Sequence, residues 1–213
     1  MLKKIFVFVI TFAFLGGGIW FINNNSDIIF KNTKMKERIV KNLSFNKEPE
    51  MKIDAAKKYK AEIETSEGIM KFELFASETP KTVNNFVFLA KEGFYENTFF
   101  HRIIKGFMIQ GGDPKGDGTG GPGYSFSDEP VTRDYEKGVI AMANAGANTN
   151  GSQFFIMQDK IGLEKNYTIF GKLIEGEEIL DKIAETPVID NGWGEVSKPT
   201  MKVYIEKINI EEE

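Results

Sequence analysis

Cysteine is absent from the 213 residues, and with it go disulfides, thiolate nucleophiles, cysteine-ligated metals and a lipidated cysteine anchor. Histidine is reduced to one copy, His101. It cannot assemble a His-based metal site, and no serine has a second histidine to choose from as a base. An excess of either charge is missing as well: 27 basic residues face 31 acidic ones, for a formal net charge of -4. That balance argues against a nucleic-acid binder held by phosphate neutralisation. Gly116, Gly118 and Gly121 satisfy GxGxxG, but the run follows no βαβ pattern and meets Pro122 and Gly123 instead of a helix. It reads as a loop, and neither a cofactor nor a metal is expected.

One long apolar stretch is present. Residues 5–22, IFVFVITFAFLGGGIWFI, follow Lys3 and Lys4 without a charge, and a helix crossing a bilayer needs roughly 17 to 25 such residues. A removable signal peptide has a shorter apolar region and a small-residue cleavage site, neither of which is clear here. Residues 1–22 are therefore expected to be a transmembrane anchor or signal segment. Lys31, Lys34, Lys36, Arg38 and Lys41 follow the span and pull against an inside amino terminus, but the usual behaviour of an amino-terminal signal decides for an exported, extracytoplasmic domain. Secretion after signal cleavage is the alternative. Residues 23–58 are polar and rich in Asn and Lys, a linker with a short helix around residues 34–43.

The remaining length suits one core and one domain, residues 59–213. AEIET and GIMKFELF flank residues 66–68 as a hairpin, with Ile69, Phe72 and Leu74 near the core and one break in register. ETPKTVNNFVFLAKEGF predicts a helix with Thr79 as candidate cap, Pro80 at its first position, Val83, Phe86, Val87 and Ala90 on one face, and Gly93 at its end. Short apolar runs then alternate with turns: TFFHRII, GFMIQ, GVIAMA, QFFIM, YTIFGKLI and MKVYIEKINI. EEILDKIAE supplies a second helix with Ile179, Leu180, Ile183 and Ala184 on one face. Many strands and two helices suggest a closed sheet capped at its ends, since closure removes exposed edges.

Two segments carry the chemistry: FHRIIKGFMIQGGD, residues 100–113, and ANAGANTNGSQFFIM, residues 143–157. Arg102 lies near Phe107, Met108 and Gln110, and the second segment supplies Ala143, Asn144, Gln153 and Phe155. Together they can line a mostly apolar groove holding one cation, which suits an uncharged peptide. These residues closely resemble the cyclophilin family of peptidyl-prolyl isomerases, and the resemblance extends over roughly residues 59–210. It implies a mainly β fold, a closed eight-stranded antiparallel barrel capped by two α-helices. In this chain a hydrophobic helix and linker would precede it.

An X-Pro bond rotates slowly because its amide has partial double-bond character, with a barrier of roughly 18 to 20 kcal/mol for peptide bonds in general. A catalyst needs no nucleophile, metal or cofactor. It must hold the proline ring and stabilise a twisted amide whose nitrogen has become pyramidal and more basic. A donor aimed at that nitrogen favours the twisted state over the planar one, and an arginine is always charged, with several donors in a rigid fork. By resemblance, Arg102 matches the family's catalytic arginine. Phe107, Met108, Phe155 and Leu163 match the walls of the proline pocket. Gln110, Asn144 and Gln153 match polar groups that fix the substrate backbone or position the arginine, and Ala143 and Ala145 match small residues along the groove. Taken singly, each of these would read as a surface arginine or a core residue; their joint order and spacing carry the assignment.

The chain departs from the family's pattern in IGLEKNYTIFGK. Gly162 or a gap falls where a tryptophan stands, Tyr167 replaces a histidine, and Ala147 stands where many members have proline. Tyr167 can still cover the pocket and donate a hydrogen bond, while the missing indole weighs against tight binding of cyclosporin-like ligands. His101 reads as a barrel or groove-edge residue. Asn24, Asn42, Asn150 and Asn166 sit in N-x-S/T sequences, and a glycan on Asn150 would obstruct the groove. The partners implied are unfolded or proline-containing polypeptides and, through residues 5–22, a membrane; nucleic acid is not among them, and the catalytic domain is expected to be monomeric. The rival reading is a binding module or chaperone that holds proline-containing segments without turnover.

Overall fold

A computed structural model of the chain describes residues 38–41 and 43–213, and the hydrophobic helix expected over residues 5–22 lies outside them. Among the described residues no helix is long and apolar enough to cross a membrane. The short helix expected around residues 34–43 falls only partly within them, and residues 38–41 and 43 carry no helix. Residues 43–58 lack regular structure yet lie against the rest of the compact unit Ile39–Glu213. Leu43, Phe45 and Ile53 pack on the core, and Phe45 N donates to Pro122 O at 2.8 Å.

The predicted hairpin forms from β1 (Tyr59–Thr65) and β2 (Gly68–Leu74). Thr65 Oγ1 closes its turn by accepting from the amides of Glu67 and Gly68, each at 3.1 Å. Ile69 is not in the core: it is 48% exposed, and Met70, Phe72 and Leu74 are the buried set. The reason is register. Met70 and Phe72 pair directly with the buried Ile63 and Ala61 of β1, which places Ile69 beside Glu64 on the other face.

Helix α1 (Pro80–Lys91) begins with Pro80, as predicted, but Thr79 does not cap it through its side chain. Thr79 Oγ1 instead donates to Phe75 O at 3.3 Å. The cap comes from Glu129, 47 residues beyond Thr82, whose carboxylate accepts from the amides of Lys81 and Thr82 at 3.0 and 2.7 Å. Gly93, at φ 70°, takes the left-handed conformation that lets the chain turn away after the helix. The second helix, α2 (Glu177–Ala184), buries Leu180, Ile183 and Ala184.

The apolar runs form β3 (Arg102–Ile104), β4 (Met108–Gly111), β5 (Val139–Met142), β6 (Phe154–Met157), β7 (Ile169–Glu175) and β10 (Ile205–Glu212). A further pair, β8 (Val188–Asp190) and β9 (Val196–Pro199), was not foreseen. All ladders are antiparallel, and the main sheet runs β10-β1-β2-β7-β5-β6-β4-β3. The closed barrel expected from the sequence is not found: the sheet is a curled half-barrel whose ends, β3 and β10, share no ladder. β3 has only three residues, and the chain before it is turned by Asn97 at φ 63°. The two edges meet instead through the single bridge between Phe99 and Tyr204 and through backbone bonds such as Phe100 N to Val203 O at 3.0 Å.

Period-two alternation divides this sheet into two apolar faces. Ile103, Ile109, Phe154, Ile156, Ile140 and Phe170 belong to the main core, under α1. The residues between them face the other way and build a second cluster around Met108, Phe155, Met157, Val139, Ala141 and Ile169. That second face bears the proposed groove.

Candidate active site

Strand pairing places Arg102 directly across from Gln110, and Gln110 directly across from Phe155. Three adjacent strands thus present a cation, an amide and an aromatic ring in one row. Met108 lies two residues from Gln110, on the same face, and is 1% exposed; Phe155 is 5% exposed. Phe107, Ala143, Leu163 and Tyr167 are partly buried against these two side chains and their neighbours. Tyr167 meets the Phe155 ring edge-on, with centroids 5.5 Å apart, an arrangement that aromatic quadrupoles favour. Its amide donates to the Tyr135 hydroxyl at 3.0 Å, and that hydroxyl donates to Tyr167 O at 2.9 Å. Tyr135, which the sequence analysis did not single out, thereby anchors this wall.

The polar groups form a directed chain. Arg102 Nη1 donates to Gln110 Oε1 at 3.3 Å, Gln110 Nε2 donates to Gln153 Oε1 at 3.0 Å, and Gln153 Nε2 donates to the carbonyls of Gly118 and Gly120 at 2.9 Å each. Gln110 and Gln153 line a cavity of about 350 Å³ with Ala143, Asn144 and Ala145. Its opposite wall is the Gly-rich loop, which coils around Asp113: the carboxylate accepts from the amides of Lys115, Asp117 and Gly118 at 2.8, 3.2 and 2.6 Å. Asn144 Nδ2 donates to Asn166 O at 2.9 Å, and Ala145 N donates to Thr149 Oγ1 at 2.9 Å. The second cluster and this cavity share Ala143 and between them hold ten of the eleven candidate residues, and Arg102 joins them through its bond to Gln110.

Glu195, which the sequence analysis missed, is the closest acidic partner of Arg102. Its Oε2 accepts from Arg102 Nε at 2.7 Å and its Oε1 accepts from Nη2 at 2.6 Å. The guanidinium holds this carboxyl well below its ordinary range, at about 2. Asn191-Gly192 between two short strands was the available signal, because that dipeptide favours hairpins. His101 and Arg102 line a cleft of about 480 Å³ with Lys115, Trp193 and Lys198. Burial pushes the His101 pKa below its usual value, against the smaller upward pull of Asp113, so the ring is neutral at neutral pH. Asn150 is fully buried and donates to Asp128 Oδ1 at 2.7 Å, which leaves it no access to a glycan.

Residues 60–210 match the family described as cyclophilin type peptidyl-prolyl cis-trans isomerase/CLD. A peptidyl-prolyl cis-trans isomerase of Arabidopsis thaliana is 44% identical over 154 residues, covering 70% of this chain and 93% of its own length. The crystal structure of a Cryptosporidium parvum cyclophilin type peptidyl-prolyl cis-trans isomerase is 42% identical and superposes with a TM-score of 0.67, covering 72% of this chain and 98% of that one. The same protein, in a structure determined in the presence of the dipeptide Ala-Pro, is 43% identical over 71% of this chain and 98% of its own, with a TM-score of 0.66. A sheet with these two faces, a cation and aromatic ring on the outer one, and similarity along the whole of the folded part carry one conclusion: the chain belongs to the cyclophilin family and is a peptidyl-prolyl cis-trans isomerase.

Proposed function

We propose that the enzyme accelerates rotation of X-Pro bonds in unfolded or partly folded polypeptides by hydrogen bonding from Arg102 to the prolyl nitrogen of the twisted amide. The observation that carries this reading is the orientation of Nη1. Beyond Gln110 its other neighbour is the Met108 sulfur at 3.8 Å, a weak acceptor at the apolar cluster. A substrate nitrogen arriving over Met108 and Phe155 offers that donor a better partner. Phe107, Leu163 and Tyr167 complete an apolar seat for the proline ring, while Gln110, Asn144 and Gln153 offer donors and acceptors to the flanking peptide backbone beside Ala143 and Ala145. A relative's structure determined in the presence of the dipeptide Ala-Pro supports a proline-containing substrate.

A hundred-thousandfold acceleration requires about 7 kcal/mol. A charge-assisted hydrogen bond supplies about 1.5 to 3 kcal/mol, so desolvation and preorganised binding supply the remainder. A proline-peptide isomerisation assay on the full chain tests the assignment. Arg102→Ala is expected to lower kcat/KM by about 10- to 150-fold, the equivalent of that one bond. Equal rates for the two proteins would remove the catalytic role of Arg102, and peptide binding without any acceleration would leave only a holding function.

The apolar residues 5–22 support a second part of the reading, that the domain acts outside the cytoplasm on a membrane tether. The mass of the mature protein tests it. A product beginning after residue 22 would replace the tether with secretion.

A further inference from the structure

We propose that Glu195 is a positioning residue for the isomerisation: it clamps the Nε and Nη2 edge of Arg102 so that Nη1 alone faces the proline pocket. The inference rests on the role of Arg102 proposed above. Arginine is a long side chain, and here it projects from a three-residue strand at the end of the sheet, with 31% of its surface exposed. Such a side chain has many rotamers open to it. Two parallel charge-assisted bonds to one carboxylate leave the guanidinium a single plane and a single direction. Gln110 Oε1 and Met108 Sδ then meet Nη1, so the three faces of the fork have distinct tasks.

The carboxylate is itself held. Asn191 Oδ1 accepts from the amides of Trp193 and Glu195 at 2.8 and 3.4 Å, and Asn191 N donates to Glu195 O at 2.9 Å. Asp190 Oδ1 accepts from Gly192 N at 2.6 Å, and Gly192 and Gly194 lie at φ 93° and 84°, where a side chain would be strained. Ser197, 1% exposed, also helps to keep the Glu195 carboxyl charged. An ordinary surface ion pair has none of this backing. A loop folded on its own side chains, with its acid delivered to the one arginine at the pocket, is a device for orientation.

The experiment measures kcat and KM on a proline peptide for the full chain and for Arg102→Ala, Glu195→Ala, Glu195→Gln, Glu195→Asp and the double variant Arg102→Ala/Glu195→Ala. It also records the exchange rate of the Arg102 Nε proton by NMR. Glu195→Ala and Glu195→Gln are expected to lose about 5- to 20-fold in kcat with KM within about twofold, as expected for an interaction realised mainly in the transition state. Glu195→Asp should recover part of the loss, the Nε proton should exchange faster in Glu195→Ala, and Glu195→Ala should cost nothing further once Arg102 is absent. Should Arg102→Ala keep the wild-type rate, the role of Arg102 fails and the inference with it. Should Arg102→Ala fall while Glu195→Ala and Glu195→Gln keep the wild-type kcat, only the positioning role fails. An equal further loss in the double variant would mean general damage, and would also overturn it.

Discussion

Gln110 donates to Gln153 at 3.0 Å, and this one bond joins Arg102 to the cavity lined by Ala143, Asn144 and Ala145. On one side Gln110 accepts from Arg102; on the other Gln153 donates to two carbonyls of the Gly-rich loop. Every donor points the same way along this chain, so neither amide can be reversed without leaving carbonyl facing carbonyl. A network satisfied in only one sense is rigid. It gives the cavity a fixed orientation relative to Arg102.

The Arg102–Glu195 pair sets a pH dependence. Its carboxyl falls from an ordinary 4.5 to about 2 in the folded chain, so the pair's contribution is fully present above about pH 4.5 and is lost as pH falls through about 2. With the Glu195 side chain 38% exposed, solvent screens much of it and the effect on stability is small. The difference in Tm between the wild type and Glu195→Gln should therefore shrink as pH drops from 4.5 to 2. A constant difference across that window would contradict the pair as its source.

His101 makes a separate prediction. Burial lowers its pKa, so the neutral ring is already the form present at pH 7, and no step in kcat/KM is expected between pH 7 and about 9. Titration of the His101 ring by NMR should give a midpoint below 6.5. A midpoint above it would show that the ring is not buried neutral.

Glu129 should matter for stability out of proportion to its position in a loop. No acidic residue stands in the first turn of α1, and the Glu129 carboxylate takes its place by accepting from Lys81 N, Thr82 N and, at 2.6 Å, Thr82 Oγ1. Glu129→Ala is expected to cost about 1.5 to 3 kcal/mol in urea unfolding. A loss below about 0.5 kcal/mol would match an ordinary surface change and refute the capping role.

Asp113 holds the far wall of the groove. It is fully buried and gathers three loop amides, so Asp113→Ala should release the carbonyls of Gly118 and Gly120 that orient Gln153. The expected result is a rise in KM of up to about tenfold, equivalent to about 1.4 kcal/mol. Unchanged KM in a folded variant would show that the loop does not shape the groove.

Asn84 fastens residues 50–53 to α1. Its Oδ1 accepts from Lys52 N at 2.8 Å and Ile53 N at 3.3 Å, and its Nδ2 donates to Glu50 O at 3.1 Å. Asn84→Ala should cost about 1 to 3 kcal/mol and speed hydrogen exchange at Lys52 and Ile53. Wild-type protection at both amides would sink the idea.

Much of the fold was legible because its signals are local. Pro80 and Gly93 bracket α1, Leu180, Ile183 and Ala184 recur at helical spacing, and six apolar runs became six strands. Ile69 was misread because alternation has two phases, and only the pairing of Met70 with Ile63 selects one. The β8–β9 hairpin was overlooked because its strands lie in no apolar run: Ser197 is the one buried residue among them.

By itself, then, the amino-acid sequence determined the strand and helix periods and set Arg102, Gln110, Phe155 and their neighbours in two recognisable segments. Tertiary structure alone decided that the sheet curls without closing, that Glu129 caps a helix 47 residues away and that Glu195 reaches Arg102 across 93. The physical reason is range. Backbone sterics and side-chain alternation act over a few residues and leave their mark in the order of the chain, whereas a hydrogen bond depends on distance and direction in space. Those are fixed only once the sheet has brought distant segments together.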